Sequence, residues 1–317
     1  MTRPNGVTRQ RLPRATLGDV RHVRELYRQA FGRYPNLMQP QRYTEKMQWR
    51  KLFDFNPMFA VLSDKIAVRD FIASRVGSEV LPPLLWVGDM VEAIPFERLE
   101  PPYVLKCSHG SGFNVFVTSH ERLDIRGTRE QLFQWLSTNF GLIQREPGYP
   151  PPNRARLLAE RMLSGPNGSA PPERKLLVFH GRVRVINSVV VDRDRRRFDA
   201  YYDPDWNWLG WRGANQRHEE PLPRPDHLGE LITVAERLGA GFDHVRVDTY
   251  DAGGGIRVGE LTLYSNSGLT PFVPDEADFV LGSWWRLRHP MLRASVPILK
   301  VKLRKVGSRI KRRMLPR

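Results

Sequence analysis

The stretch VLKCSHGSGFNVFV, Val104 to Val117, holds an apolar strand ending on Lys106, a turn rich in Gly and Ser, and a second apolar strand. A plain hairpin needs only a tight turn such as Asn-Gly. A lysine at the strand end, followed by Gly110 and Gly112 among serines, points to more. It suggests a flap over an anionic ligand, with backbone N–H groups free to approach it.

The rest of the chain says which anions to consider. It has 317 residues, 40% of them hydrophobic, enough for a large core or two compact domains. The formal net charge is +16. Such a balance implies an anionic partner: nucleic acid, a membrane surface or a phosphorylated substrate. A single cysteine, Cys107, excludes a disulfide framework and a Cys-based zinc site, and its parity opposite Lys106 assigns it to the core. No apolar run is long enough to span a membrane, and the basic N-terminus has no apolar segment of the secretory kind. The expected location is the cytoplasm.

Lysine usage is selective. Between Lys51 and Lys300 the only lysines are Lys65, Lys106 and Lys175; every other cation there is arginine or histidine. Lysine is a compact point charge on a flexible stem, suited to phosphate oxygens.

Periodicity predicts helices within residues 18–60, the first ended by Gly32 and Pro35, the next with Thr44 as its N-cap. A further helix is expected to be capped by Ser63 and closed by Gly77, and another to start at Thr128. RLLAERML reads as a strand. RKLLVFHGRVRVINSVVVDRD and HVRVDTYDAGGGIRVGELTLYSNSG read as hairpins, separated by the helix HLGELITVAERLGAGF. The tryptophan-rich segment DWNWLGW reads as a surface excursion, its rings either packed under a loop or available to stack on a ligand. Mixed strands and helices without strict alternation indicate an α+β fold with antiparallel sheets.

In the last hairpin Asp248 and Glu260 stand on opposite arms. If they face each other, the two carboxylates repel unless a cation lies between them. Mg²⁺ shared with substrate phosphates meets that need; the alternative is that one of the two points to solvent.

The ordered phrases TEKMQWRKLFD, LSDKIAVRDFI, YVLKCSHGSGFNVFV, RKLLVFHGRVRVI, YYDPDWNWL, VRVDTY and VGELTLYSNSGLTPFVP run from about residue 40 to 285. This order resembles the TupA-like ATP-grasp family, named for a teichuronopeptide synthesis protein. The resemblance implies an ATP-grasp fold of two α+β subdomains clasping ATP. Its expected divisions are a helical segment 1–60, a small subdomain 61–160 with the flap, a large subdomain 161–290 with the metal site, and a basic tail 291–317. It implies that Lys65 and Lys106 contact ATP phosphates beneath a loop containing His109, Gly110, Ser111 and Gly112. Glu160 to Leu163 would form the adenine hinge, and Lys175 would reach a phosphate. Asp248, Glu260 and Thr262 would hold Mg²⁺, and Arg246 would steady developing negative charge.

Two positions depart from the pattern. Thr262 stands where many of these ligases have Asn, and Glu173-Arg174 precede Lys175 where Asp-Tyr is common. No Walker-type phosphate loop is present, and Ser111 lacks the flanking pattern of a nucleophile elbow. The implied activity is an ATP-dependent ligation of a carboxylate to an amine or sugar acceptor, in a setting of cell-surface polysaccharide synthesis on a lipid-linked glycan. The alternative is a glycosyltransferase-like or nucleotide-binding protein without ligation; nucleic-acid binding ranks last. The tail, with Leu299, Leu303, Val306, Ile310 and Met314 at helical spacing among basic residues, is expected to lie on an anionic membrane or on the protein's own body.

Overall fold

A computed structural model describes residues 15–287, apart from positions 166, 167, 193, 195, 253 and 254. The tail expected to form a basic helix lies outside the described residues.

Four helices open the fold: α1 (Leu17–Phe31), α2 (Tyr43–Phe53), α3 (Met58–Leu62) and α4 (Ala67–Val76). Thr16 and Asp19 cap α1 reciprocally, and Gly32 ends it at φ 69°. Thr44 is not the cap of α2, whose N-cap is Arg42; its hydroxyl instead donates to Asp278 at 2.6 Å, deep in the interior. Asp64, rather than Ser63, receives the N–H groups of Ile66 and Ala67 where α4 begins. α2 is buried along nearly its whole length. Its Arg50, 0% exposed, bonds the carbonyls of Leu263 and His244 and the Asp243 carboxylate. Burial of a cation is sustained here by several acceptors.

The first sheet has four strands, β1 (Leu84–Gly88), β2 (Tyr103–Cys107), β3 (Asn114–Val117) and β4 (Leu157–Arg161), in the order β1-β4-β2-β3, all antiparallel. Alternation sends Tyr103, Leu105, Cys107, Leu157 and Ala159 into one apolar core, where α5 (Ile125–Ser137) contributes Leu132. Asp124 caps α5, so the helix starts ahead of the expected Thr128. The short α6 (Phe140–Gln144) follows. The opposite face of the sheet carries Lys106 and Glu160.

The second sheet has six strands in the order β10-β9-β5-β6-β7-β8: β5 (Glu173–Phe179), β6 (Arg182–Val191), β7 (Arg197–Tyr202), β8 (Gln216–Arg217), β9 (His244–Ala252) and β10 (Gly255–Thr262). Only β7 and β8 run parallel. One face, with Leu176, Ile186, Val245 and Val247, packs under α7 (Leu228–Gly239) in the largest core. α8 (Glu276–Trp284) lies against α2. Trp206 stacks on Tyr202 at 4.1 Å and donates to the Leu222 carbonyl, so this ring is used for packing. Among the described residues no helix is long and apolar enough to cross a membrane.

Candidate active site

The other face of the large sheet is polar. Cross-strand pairing sets Glu260 opposite Asp248, Asp248 opposite Lys175, Lys175 opposite Asn187, and Asn187 opposite Tyr201. Directly opposed residues share a face, so these five side chains form one row across five strands. The neighbouring row begins with Thr262 opposite Arg246. A register irregularity between Val258 and Glu260 sets this alignment.

Asp248 is 2% exposed. Arg246 grips it with both nitrogens, Nε to Oδ1 and Nη2 to Oδ2, each at 2.6 Å. The same Nη2 reaches Thr262 Oγ1 at 3.1 Å and Glu260 Oε1 at 3.4 Å. Thr262 in turn donates to Glu260 Oε1 at 2.8 Å. The cation that two facing carboxylates require is therefore present in the protein itself. Burial pushes the Asp248 carboxyl up to about 6 against the pull of Arg246. Burial acts on Glu260 in the same sense, yet Arg246 and Lys65 hold it below its ordinary value.

The flap faces this row. Lys65 donates from Nζ to the Gly110 carbonyl at 2.6 Å, and its backbone N–H bonds Ser108 O at 2.8 Å. Burial lowers its pKa, Glu260 opposes that and Lys106 adds to it, so the three charges share one region. Gly110 and Gly112 have φ of 81° and 78°, the left-handed region. A side chain at Gly110 would meet Phe113 at 2.8 Å. Phe113 anchors the flap by stacking on Trp135 at 5.1 Å. Ser111 and Gly112, at the exposed tip, line a cavity of ≈ 440 Å³ shared with Lys175 and Arg246.

Lys106 and Glu160 are diagonal neighbours on the small sheet. Lys106 Nζ lies 2.5 Å from Glu160 Oε2, while Arg69 Nη1 holds Oε1 at 2.8 Å. Leu163 follows β4 and is half-buried. His109 is wholly buried; its Nε2 pairs with the Thr138 carbonyl at 2.9 Å, and burial lowers its pKa. Its ring is thereby engaged beneath the flap. Lys175 approaches Glu173 at 3.5 Å, and Glu173 also pairs with Arg197.

The sequence reading missed Arg69, Asn187 and Asp199. Asn187 carried a usable signal: it is an amide in the midst of the apolar strand VRVINSVVV.

A family model described as TupA-like ATPgrasp matches residues 45–286. The chain belongs to the TupA-like ATP-grasp family. As such it has the ATP-grasp fold. Among solved structures it is similar to D-alanine–D-alanine ligase from Bacillus anthracis, at 16% identity and TM-score 0.40, covering 80% of this chain and 71% of that one. It is also similar to a RimK domain ATP-grasp protein from Sphaerobacter thermophilus, at 17% identity and TM-score 0.40, covering 73% and 68%. A third is ATP-grasp ligase PsnB complexed with a minimal precursor, at 14% identity and TM-score 0.37, covering 66% of this chain. The chain spans 54% of PsnB. No curated protein matches it in sequence.

The residues of the candidate metal site suit Mg²⁺. Asp248, Glu260 and Thr262 offer only hard oxygen donors, at adjoining register positions beside lysines suited to phosphate. Among the described residues no group of three or more His, Cys, Asp or Glu is placed to hold a metal ion, so the two carboxylates here would share the ion with substrate phosphates.

Proposed function

We propose that the protein joins a carboxylate to an amine or similar nucleophile through an acyl phosphate. The observation that carries this reading is the row Glu260–Asp248–Lys175, flanked by Arg246 and facing a glycine flap that follows Lys106 and whose Gly110 carbonyl accepts from Lys65. In this reading Lys65, Lys106 and Lys175 bind the phosphates of ATP, and the N–H groups at the flap tip cover them. Glu160 to Leu163 lie against the adenosine. Asp248 and Glu260, with Thr262 beside them, would hold Mg²⁺, which neutralises phosphate charge and orients the γ-phosphoryl group.

The substrate carboxylate attacks the γ-phosphorus, the bond to the β–γ bridging oxygen breaks, and ADP departs. The amine then attacks the acyl carbon, phosphate leaves with the C–O electron pair, and the nitrogen gives up a proton. Arg246 and the lysines stabilise charge as it develops on the transferred group; such preorganised donors act strongly where water is excluded. The setting we propose is cell-surface polysaccharide synthesis, with a lipid-linked glycan at the inner membrane face as acceptor.

The test is ADP and phosphate release with ATP, Mg²⁺ and panels of acids and amines. The expected result is release that requires one acid and one amine together. Turnover of a nucleotide sugar without ATP would overturn the reading.

A further inference from the structure

The polar face continues past Lys175. Asn187 on β6 and Asp199 on β7 line the same ≈ 440 Å³ cavity as Lys175 and Arg246. Asp199 is 1% exposed. Its Oδ1 accepts from Asn187 Nδ2 and Asn215 Nδ2, both at 3.0 Å, and its Oδ2 accepts from the Asn215 backbone N–H at 3.0 Å. All three donors are neutral. Among the described residues no cation lies within ion-pair distance of this carboxylate. An isolated charge is costly to bury unless it gains a partner. A carboxylate has about four acceptor positions, and three are filled here.

Asn187 supplies an independent sign. It is 7% exposed, and its Oδ1 has no hydrogen-bond partner among the described residues. A buried unpaired acceptor on a cavity wall calls for a donor from a ligand. The two acceptors adjoin, and one is charged. A hydroxyl would answer the hydrogen bonds but leave the charge uncompensated. An ammonium, with three donors and a positive charge, answers both.

Lys175 on β5 and Arg246 on β9 line the other end of the cavity; Arg197, on β7 beside Asp199, lines it too but is paired with Glu173. β7 lies two strands from β5, roughly 10 Å at the usual strand spacing. Backbone spacing of that size favours a substrate longer than an α-amino acid.

We propose that the cavity takes a substrate whose protonated amino group binds Asp199 and Asn187 while its carboxylate points to Lys175 and Arg246, the two groups lying farther apart than in an α-amino acid. Short peptides and diamino acids have this form. The inference rests on the ligase reading, because it assigns the anionic end to the reacting carboxylate.

The test is thermal unfolding of the full chain with a non-hydrolysable ATP analogue and Mg²⁺, adding dipeptides and diamino acids. Each is paired with a form N-acetylated at the amino group farther from the reacting carboxylate and with the hydroxyl counterpart at that position. At least one free-amine compound is expected to raise the midpoint, and its acetylated and hydroxyl counterparts are not. Asp199→Asn is expected to lose this rise and keep the rise caused by the ATP analogue. Asn187→Ala provides the same comparison if Asp199→Asn does not fold. Equal rises with the acetylated or hydroxyl compounds, an undiminished rise in the folded variants, or no rise with any free amine would overturn the inference while leaving nucleotide binding intact. Absence of the ATP-analogue rise itself would instead strike the ligase reading, and this inference with it.

Discussion

Arg246 and Asp248, two residues apart on β9, project from the same face and form a bidentate ion pair with both contacts at 2.6 Å. The same guanidinium reaches Glu260 on β10. One arginine thus bridges the two carboxylates assigned to Mg²⁺. Removing it leaves buried negative charge without its nearest partner. Arg246→Ala is expected to destabilise the metal-free protein by about 3 to 5 kcal/mol, measured by denaturant titration. Mg²⁺ is expected to raise its midpoint temperature more than that of the wild type, because the ion supplies the lost positive charge. An equal response to Mg²⁺ in both proteins would count against a metal at this pair.

Lys106 shares Glu160 with Arg69. Truncating the lysine therefore leaves the carboxylate with one cationic partner, and the fold is expected to survive. Lys106→Ala is expected to weaken ATP binding by about 2 to 3 kcal/mol, the size of a charged hydrogen bond. Calorimetric titration measures it. Unchanged affinity in a folded variant removes Lys106 from the phosphate site.

The two flap glycines differ in their surroundings. Both require a left-handed backbone, but a Cβ at Gly112 meets nothing within 4 Å, while one at Gly110 collides with Phe113. Gly112→Ala is expected to cost about 1 to 2 kcal/mol, the backbone strain alone. Gly110→Ala is expected to cost more and to disturb the Phe113–Trp135 stack. Paired stability measurements, with near-ultraviolet circular dichroism as the readout of the stack, check this order.

His244 sets an acid limit on stability. Its Nδ1 pairs with the Val178 carbonyl at 2.9 Å, so that nitrogen carries the proton, and Nε2 accepts from the Tyr43 hydroxyl at 3.0 Å. Burial, with Arg50 adding to it, lowers its pKa to about 3 from an ordinary 6.5. Between those values the unfolded chain binds a proton that the folded chain refuses. The stability contribution is complete above pH 6.5 and declines as pH falls toward 3, by about 1.4 kcal/mol per pH unit. His244→Gln is expected to flatten the pH dependence of unfolding free energy in that window by close to one proton. An unchanged slope would refute the assignment.

Local pattern made much of the architecture legible. The 3.6-residue recurrence of Val20, Val23 and Tyr27, closed by Gly32, placed the first helix. Gly-containing turns between apolar runs placed the hairpins β2–β3, β5–β6 and β9–β10. Alternation on the two arms of β9–β10 was enough to single out Asp248 and Glu260 as a pair, because hairpin partners are close in sequence. β7 and α8 were not read from the sequence. The strand RFDAYY follows charged residues and carries a buried Asp in its middle, and such a pattern reads as polar.

What the sequence determined, then, was whatever a few neighbouring residues can specify: helix ends, turns, strand parity and the ordered motifs of an ATP-grasp chain. Only the tertiary structure decided which polar groups meet. Pairing of β5 with β9, across dozens of intervening residues, brought Lys175 into line with Asp248; the β5–β6 hairpin set Asn187 beside Lys175, and β7 then added Asp199. A shift of one residue in any of these pairings would turn the side chains to the opposite face. That register is fixed by the burial of Leu176, Ile186 and Val247 under α7, a condition set by the whole core rather than by any one segment.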